Sequence, residues 1–273
     1  MIIVSLTSAQ HRLPHIEPCL RSLLDQSRKP DEIRLYLSRD PWLDRDTGVR
    51  EIPSFLEKME KGGEIRLIFV APNTGPYRKI MPAAEEFRGR KGVWLITADD
   101  DWILPNDWLE TFTRHMNEPQ VLAYFGHSAR FPFPYALWAN TGMSFFAGFR
   151  FLRRAVILLL DRFMPRVPMA VGAHGVAYPL EIFDADFYSK DYARIAPTTD
   201  DIWINRHIPR STPIRLLPAP GPFTELSFPC KSPLCASNLR GLFISANQKA
   251  IYRTGYWKRI LERQWDIICG REP

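Results

Sequence analysis

Residues 94–110 read WLITADDDWILPNDWLE. The run from Val93 to Thr97, following Gly92, is short and apolar, as a buried strand should be. It ends in three adjacent carboxylates, Asp99, Asp100 and Asp101. Beyond Pro105 a helical pattern begins, in which Asn106 is expected to cap Asp107 to His115 with Asp107 and Glu110 in the first turn. A strand that ends in charge and leads into a helix is the repeating unit of an α/β sheet.

Working outward, the same alternation recurs. Ile2 to Leu6, Ile33 to Leu37 and Ile65 to Val70 read as strands. Helical patterns follow through Ile16, Leu20, Leu23 and Leu24, from Ile52 to Met59, and from Ile80 to Phe87. This predicts a mostly parallel sheet flanked by helices on both faces. Ligands of such sheets collect at the carboxyl ends of the strands. Thr7, Ser8, Asp40, Asn73 and Asp99 to Asp101 all fall there.

Val121 to Phe125 is a further strand. From Phe131 to Pro168 the chain is irregular and rich in proline and aromatic residues, and Pro218 to Pro233 reads as loop. Gly255 to Ile268 has helical spacing, with Trp257, Leu261 and Trp265 on its apolar side and Lys258, Arg259 and Arg263 on its polar side. The whole, residues 1–273, is expected to be one domain.

Thirty-six Lys and Arg against thirty Asp and Glu give a formal charge of +6 and a pI near 9.2. That balance favours anionic partners. Without zinc-finger spacing, an RNA-binding glycine-aromatic signature or a long basic arm, nucleic acid is not expected among them. Cys19, Cys230, Cys235 and Cys269 are too few and scattered for a disulfide framework, and Cys19 reads as a packing residue. No basic segment followed by an apolar stretch precedes Ile2, so a cytoplasmic location is expected. The most apolar stretch, Ala155 to Leu160, is far below the roughly 20 residues that span a bilayer.

Three carboxylates side by side repel one another unless a cation or hydrogen-bond donors hold them. Mg²⁺ and Mn²⁺ take carboxylate oxygens and also bridge nucleotide phosphates. A solvated acidic turn capping the next helix is the plain alternative. A second acidic pair, Asp200 and Asp201, lies in PTTDDIWINRHIP, where capping by Thr198 or Thr199 and the helix dipole comfortably explain one acid.

Residues 94–110 resemble the DXD region of GT-A glycosyltransferases, and VSLTSAQHRLPHIEPCLRSLLDQSRKPDEIRLYLS, residues 4–38, resembles their first β-α-β unit, particularly in bacterial polysaccharide-assembly members. The resemblance implies a GT-A-like Rossmann-type fold, with a nucleotide-sugar-binding half over 1–125 and an acceptor-binding half with a C-terminal helix over 126–273. It implies a metal-dependent, inverting transfer of sugar to a hydroxyl of a glycan or glycolipid acceptor in bacterial surface polysaccharide or lipopolysaccharide assembly.

The divalent metal, Mn²⁺ or Mg²⁺, falls to Asp99, Asp100 and Asp101. A DXD register pairs Asp99 with Asp101, whereas alignment from Pro105 makes Asp100 the principal ligand. Asp201 matches the acid of the xED motif and is the expected general base, with Asp200 its neighbour. Thr7, Ser8, Arg12, Asp40, Asn73, Arg78, Lys79, Asp99 and Asp100 are the expected donor contacts, Arg78 and Lys79 serving the diphosphate. Gly172 to Pro179 resembles the glycine-containing stretch before the xED motif, which places His174 and Gly175 in the donor and acceptor pocket.

An aromatic-basic cluster, Phe145, Phe146, Phe149, Arg150, Phe151, Arg153 and Arg154, reads as helix packing or as a peripheral contact with acidic lipid at the inner face of the membrane. Three rivals remain. A sugar nucleotidyltransferase can share the sheet, although SLTSAQHRLP lacks the glycine-rich loop such enzymes carry. A non-catalytic glycan- or membrane-binding protein could keep the fold. A two-metal phosphoesterase would need further histidine and carboxylate clusters.

Overall fold

The apolar N-terminal run forms the centre of a sheet. In the computed structural model, which describes residues 1–43, 46–129, 167–228, 250–251 and 253–269, β1 (Ile2–Thr7) lies between β2 (Glu32–Leu37) and β4 (Trp94–Thr97). Both pairings are parallel, and β3 (Arg66–Phe69) adds outside β2. Ile3, Val4 and Leu6 are fully buried, as strands covered on both faces require. Burying each such side chain contributes about 1.5–3 kcal/mol.

On one face lie α1 (Glu17–Leu24), α2 (Ser54–Lys61) and α4 (Trp108–Thr113), which bury Leu20, Leu56, Trp108 and Phe112 against the sheet. On the other lie α3 (Met81–Glu86), α5 (Tyr192–Ile195) and α6 (Asp200–His207), contributing Ala84, Tyr192, Trp203 and Ile204. The expected α/β class with a mostly parallel sheet is therefore the fold observed.

The second half of the sheet departs from the simple alternation. β6 (Val121–Ala129), β7 (Val167–Pro179) and β8 (Ile214–Leu216) complete the order β3-β2-β1-β4-β7-β6-β8. β7 runs antiparallel to both of its neighbours, β4 and β6. It starts before Gly172, where order was expected to return. Its ladder with β6 breaks between Ala123↔Val176 and Phe125↔Val171. Gly172 to Gly175 therefore bulge outward opposite Tyr124 alone, and such bulges re-aim side chains at sites.

Several local expectations give way to tertiary contacts. Asn106 does not cap α4: its side chain donates to Asp25 O, and Asp107 takes the N-cap position without a side-chain bond. Thr199 is the N-cap of α6, again without a side-chain bond. Within the loop expected over Pro218 to Pro233, β9 (Thr224–Glu225) pairs with β5 (Trp102–Ile103).

Helix α7 (Tyr256–Ile268) forms where expected but turns another face inward. Tyr256, Ile260, Arg263 and Gln264 are buried while Trp265 is exposed. Arg263 donates to Pro209 O and Thr212 O, so polar anchoring outweighs the hydrophobic stripe. The aromatic-basic cluster, Ala155 to Leu160, Cys230 and Cys235 lie outside the described residues. Among the described residues, no helix is long and apolar enough to cross a membrane.

Candidate active site

Five carboxylates gather at the carboxyl end of β4. Asp99, Asp100 and Asp101 follow the strand directly, and the first turn of α6 brings Asp200 and Asp201. Lys79 joins the two groups. Its Nζ lies 2.7 Å from Asp99 Oδ1 and 3.4 Å from Asp200 Oδ2, and the side chain is buried.

The 3-10 turn Gly75–Lys79 is fixed at both ends of this bridge. Ser5 Oγ donates to Lys79 O at 2.5 Å. Tyr77, stacked on Tyr192, donates to Ala196 O at 2.8 Å, just before α6. Burial works against the ammonium charge, but Asp200 and Asp99 outweigh it and raise the Lys79 pKa well above its ordinary value.

Helix α6 docks on β7 through Asn205, whose amide exchanges hydrogen bonds with the backbone of Ala170, accepting from its N–H at 3.0 Å and donating to its O at 2.8 Å. One turn earlier on the same face, Asp201 Oδ1 accepts from Gly172 N at 3.2 Å. A Cβ at Gly172 would stand 3.2 Å from Lys79 Nζ and 3.4 Å from Asp201 Oδ1, so a larger residue there would crowd both. Burial, then repulsion from Asp200, pushes the Asp201 pKa up to about 8.

The acids of the run differ in what holds them. Asp100 is buried and both of its oxygens are engaged: Ser8 Oγ donates to Oδ2 at 2.5 Å, and Arg12 Nη2 lies 2.8 Å from Oδ1. Burial nonetheless pushes its pKa up to about 6. Asp101 Oδ2 lies 2.9 Å from the same Arg12 nitrogen, while its Oδ1 is buried without a hydrogen-bond partner. Burial and the charge of Asp99 raise the Asp101 pKa.

Arg78 points inward. Its guanidinium donates to Thr7 Oγ1 at 2.9 Å, Ser8 O at 2.9 Å and Asp46 Oδ2 at 3.1 Å, and it is buried. Arg78 and Lys79, the expected diphosphate contacts, both pair with the protein's own oxygens. Asn73 donates to Asp40 O at 2.8 Å and Asp46 Oδ2 at 3.2 Å, leaving the Asp40 side chain exposed.

Asp46 was not among the expected site residues, although it ties the loops after β2 and β3 together and, through Arg78, reaches Thr7 and Ser8. The signal available was its place two residues before Gly48, in the loop after β2. Its carboxylate accepts from Gly48 N at 3.0 Å, the local turn bond that an aspartate makes at that spacing.

Above the acids, the bulge of β7 presents His174. Its ring stacks on Phe223 at 4.2 Å and meets the edge of Trp102 at 4.5 Å. Burial lowers its pKa. Gly175 has φ +104, and a Cβ there would fall 2.6 Å from the Trp108 ring. The segment after β8 closes over the run: Leu226 N donates to Asp101 O at 2.7 Å, and Phe228 lies under the Arg12 guanidinium at 4.2 Å. A cavity of about 290 Å³ lined by Leu24, Asp31, Ile65 and Arg66 sits at the opposite end of the sheet, remote from this chemistry.

Among solved structures, Mycobacterium tuberculosis glucosyl-3-phosphoglycerate synthase in complex with Mn²⁺, UDP and phosphoglyceric acid is 15% identical, with a TM-score of 0.45 over 93% of this chain and 78% of that one. S. aureus TarS 1-349 in complex with UDP is 11% identical, with a TM-score of 0.43 over 81% of this chain and 59% of that one. The chain spans 21% of TarS itself. A 4-diphosphocytidyl-2C-methyl-D-erythritol synthase is 8% identical, with a TM-score of 0.44 over 84% of this chain and 92% of that one. No curated protein matches the sequence. The family model described as glycosyl transferase family 2 matches residues 6–171. With more than half of its length matched, from β1 through the acidic run and into β7, the chain belongs to glycosyl transferase family 2.

Proposed function

We propose that the chain transfers a sugar from a nucleotide-sugar donor to a hydroxyl of a glycan or lipid-linked acceptor, in one inverting step. One observation carries this reading: among the described residues, five carboxylates, Asp99, Asp100, Asp101, Asp200 and Asp201, gather at one place, and the cations paired directly with them are Arg12 and Lys79. Stable folding alone gives no reason to gather more acids than cations at one buried place. A site that receives a cation and takes a proton from an acceptor hydroxyl does.

The residues fit a divalent cation at Asp99 and Asp101. Asp101 Oδ1 is buried and unpartnered, whereas Asp100 is already spent on Ser8 and Arg12. Mg²⁺ or Mn²⁺ is commonly held by one or two carboxylates together with substrate phosphates, so a complete protein cage is not needed. When bound, the cation supplies neutralisation of the charge that develops on the departing diphosphate.

Asp201 receives the acceptor proton, because a carboxylate whose pKa is raised toward the working pH is a competent base. Lys79 offsets the charge of Asp99 and Asp200 beside it. His174, Trp102 and Phe223 form an apolar wall on which a sugar ring can rest. The half up to residue 125 binds the donor and the remainder the acceptor. The resemblance supports a place in bacterial surface polysaccharide or lipopolysaccharide assembly at the inner face of the membrane.

A thermal-shift screen of nucleotide sugars with and without Mn²⁺ tests the reading, since a ligand of the native state raises its stability. A Tm increase that needs both donor and metal is expected. A nucleoside triphosphate stabilising the protein more than any nucleotide sugar would favour nucleotidyl transfer instead.

A further inference from the structure

Arg12 was expected to contact the donor, yet one of its nitrogens, Nη2, serves both Asp100 and Asp101. Two buried atoms of this ion pair have no hydrogen-bond partner, and they are of opposite kind: Arg12 Nε, a donor, and Asp101 Oδ1, an acceptor. Buried polar atoms are rarely left so. An acceptor beside the acids invites a cation, and a donor on the guanidinium invites an anion.

We infer that Arg12 is a displaceable counter-ion, which holds Asp101 while the site is empty and yields it to a divalent cation when a diphosphate arrives to take the guanidinium. This rests on the proposed reading that the site takes a cation and a nucleotide diphosphate. A cation reaching Asp101 alone meets a fixed positive charge on the same carboxylate, because arginine does not deprotonate. A diphosphate removes that conflict, since guanidinium pairs with phosphate oxygens in a planar fork.

Metal and diphosphate should therefore bind cooperatively, each strengthening the other by the same factor. Phe228 keeps the guanidinium over the acids from the far side, and Leu226 N anchors that segment to Asp101 O. The segment thus holds the counter-ion in place.

Equilibrium dialysis of Mn²⁺ against wild-type protein, Arg12→Gln and Phe228→Ala, with and without inorganic pyrophosphate, tests the inference. Arg12→Gln is expected to retain Mn²⁺ alone at least tenfold more tightly than wild type. Pyrophosphate should tighten retention by wild type by a larger factor than by Arg12→Gln. Phe228→Ala, which leaves every charge in place, should show an intermediate gain and decides the matter if Arg12→Gln does not fold. Equal or weaker retention of Mn²⁺ alone by both variants overturns the counter-ion role. No retention by any protein under either condition overturns the cation reading itself.

Discussion

Two of the charge clusters among the described residues are built on opposite principles. Arg34, on β2, is buried, and every nitrogen of its guanidinium is used: Nε donates to Glu32 at 2.7 Å, Nη1 to Glu86 at 2.6 Å and Tyr36 Oη at 3.2 Å, and Nη2 to Glu86 at 3.2 Å. Arg66 adds a second cation to Glu32 at 3.0 Å. Two cations thus meet two carboxylates. Burial opposes the Arg34 charge, but its hydrogen bonds to Glu86 and Glu32 win and raise its pKa. The cluster at the end of β4 instead holds surplus acid, raised carboxyl pKa values and unpartnered atoms, among them Asp101 Oδ1 and Thr199 Oγ1. The first cluster is complete in itself, and the second is the one for which we propose a further ligand.

Removing the central cation from each cluster separates them most sharply. Lys79→Met leaves Asp99 and Asp200 without their shared partner, and breaking a buried pair in this way costs about 3–5 kcal/mol. That loss, read at pH 5 and at pH 8, should exceed the loss from the matching change at Arg34. Arg34→Met should cost about 3 kcal/mol, the low end of that range because half-exposed Glu86 is rescued by water, with little change between the two pH values. Urea unfolding of both variants at both pH values provides the check.

The pH dependence of the wild type follows from the same surplus. Asp201 holds its proton up to about pH 8 in the folded chain but near its ordinary value when unfolded. The folded state therefore binds more protons between those limits, and stability falls as pH rises through that window. Tm should decline from pH 5 to pH 8, and Asp201→Asn should flatten the decline. In the proposed reaction, kcat/KM should fall on the acid side of about pH 8, since it reports the free enzyme's base. A pH-independent Tm in wild type would mean that Asp201 is not held in this environment.

Gly175→Ala probes the bulge that brings β7 to the acids. The substitution meets both φ +104 and the Trp108 ring, a strain of about 1–3 kcal/mol. Thermal unfolding should register it, along with altered quenching of Trp108.

The first half of the sheet was legible because its signals are local. Ile2 to Leu6, Ile33 to Leu37 and Val93 to Thr97 are short apolar runs between polar breaks, and each became a strand. What escaped depends on partners distant in the chain. Lys79 looks like a solvent-facing cation until α6 brings Asp200 to it, and Arg78 until Asp46 and Thr7 surround it. Asn106 has a fine capping pattern but finds Asp25 O instead. Helix α7 has an apolar stripe ending at Trp265, yet the bonds of Arg263 to Pro209 and Thr212 set its rotation. Both acidic motifs were visible as charges; their meeting across Lys79 was not.

Product analysis tests the central claim most directly: Mn²⁺ and a panel of nucleotide sugars are supplied to wild type, Asp101→Asn and Asp201→Asn with a glycan or glycolipid acceptor, and the released nucleotide is identified. Wild type should release nucleoside diphosphate in step with acceptor glycosylation, and each variant should lose about 10²-fold or more of the rate while keeping its fold. Full activity in both variants would contradict the account.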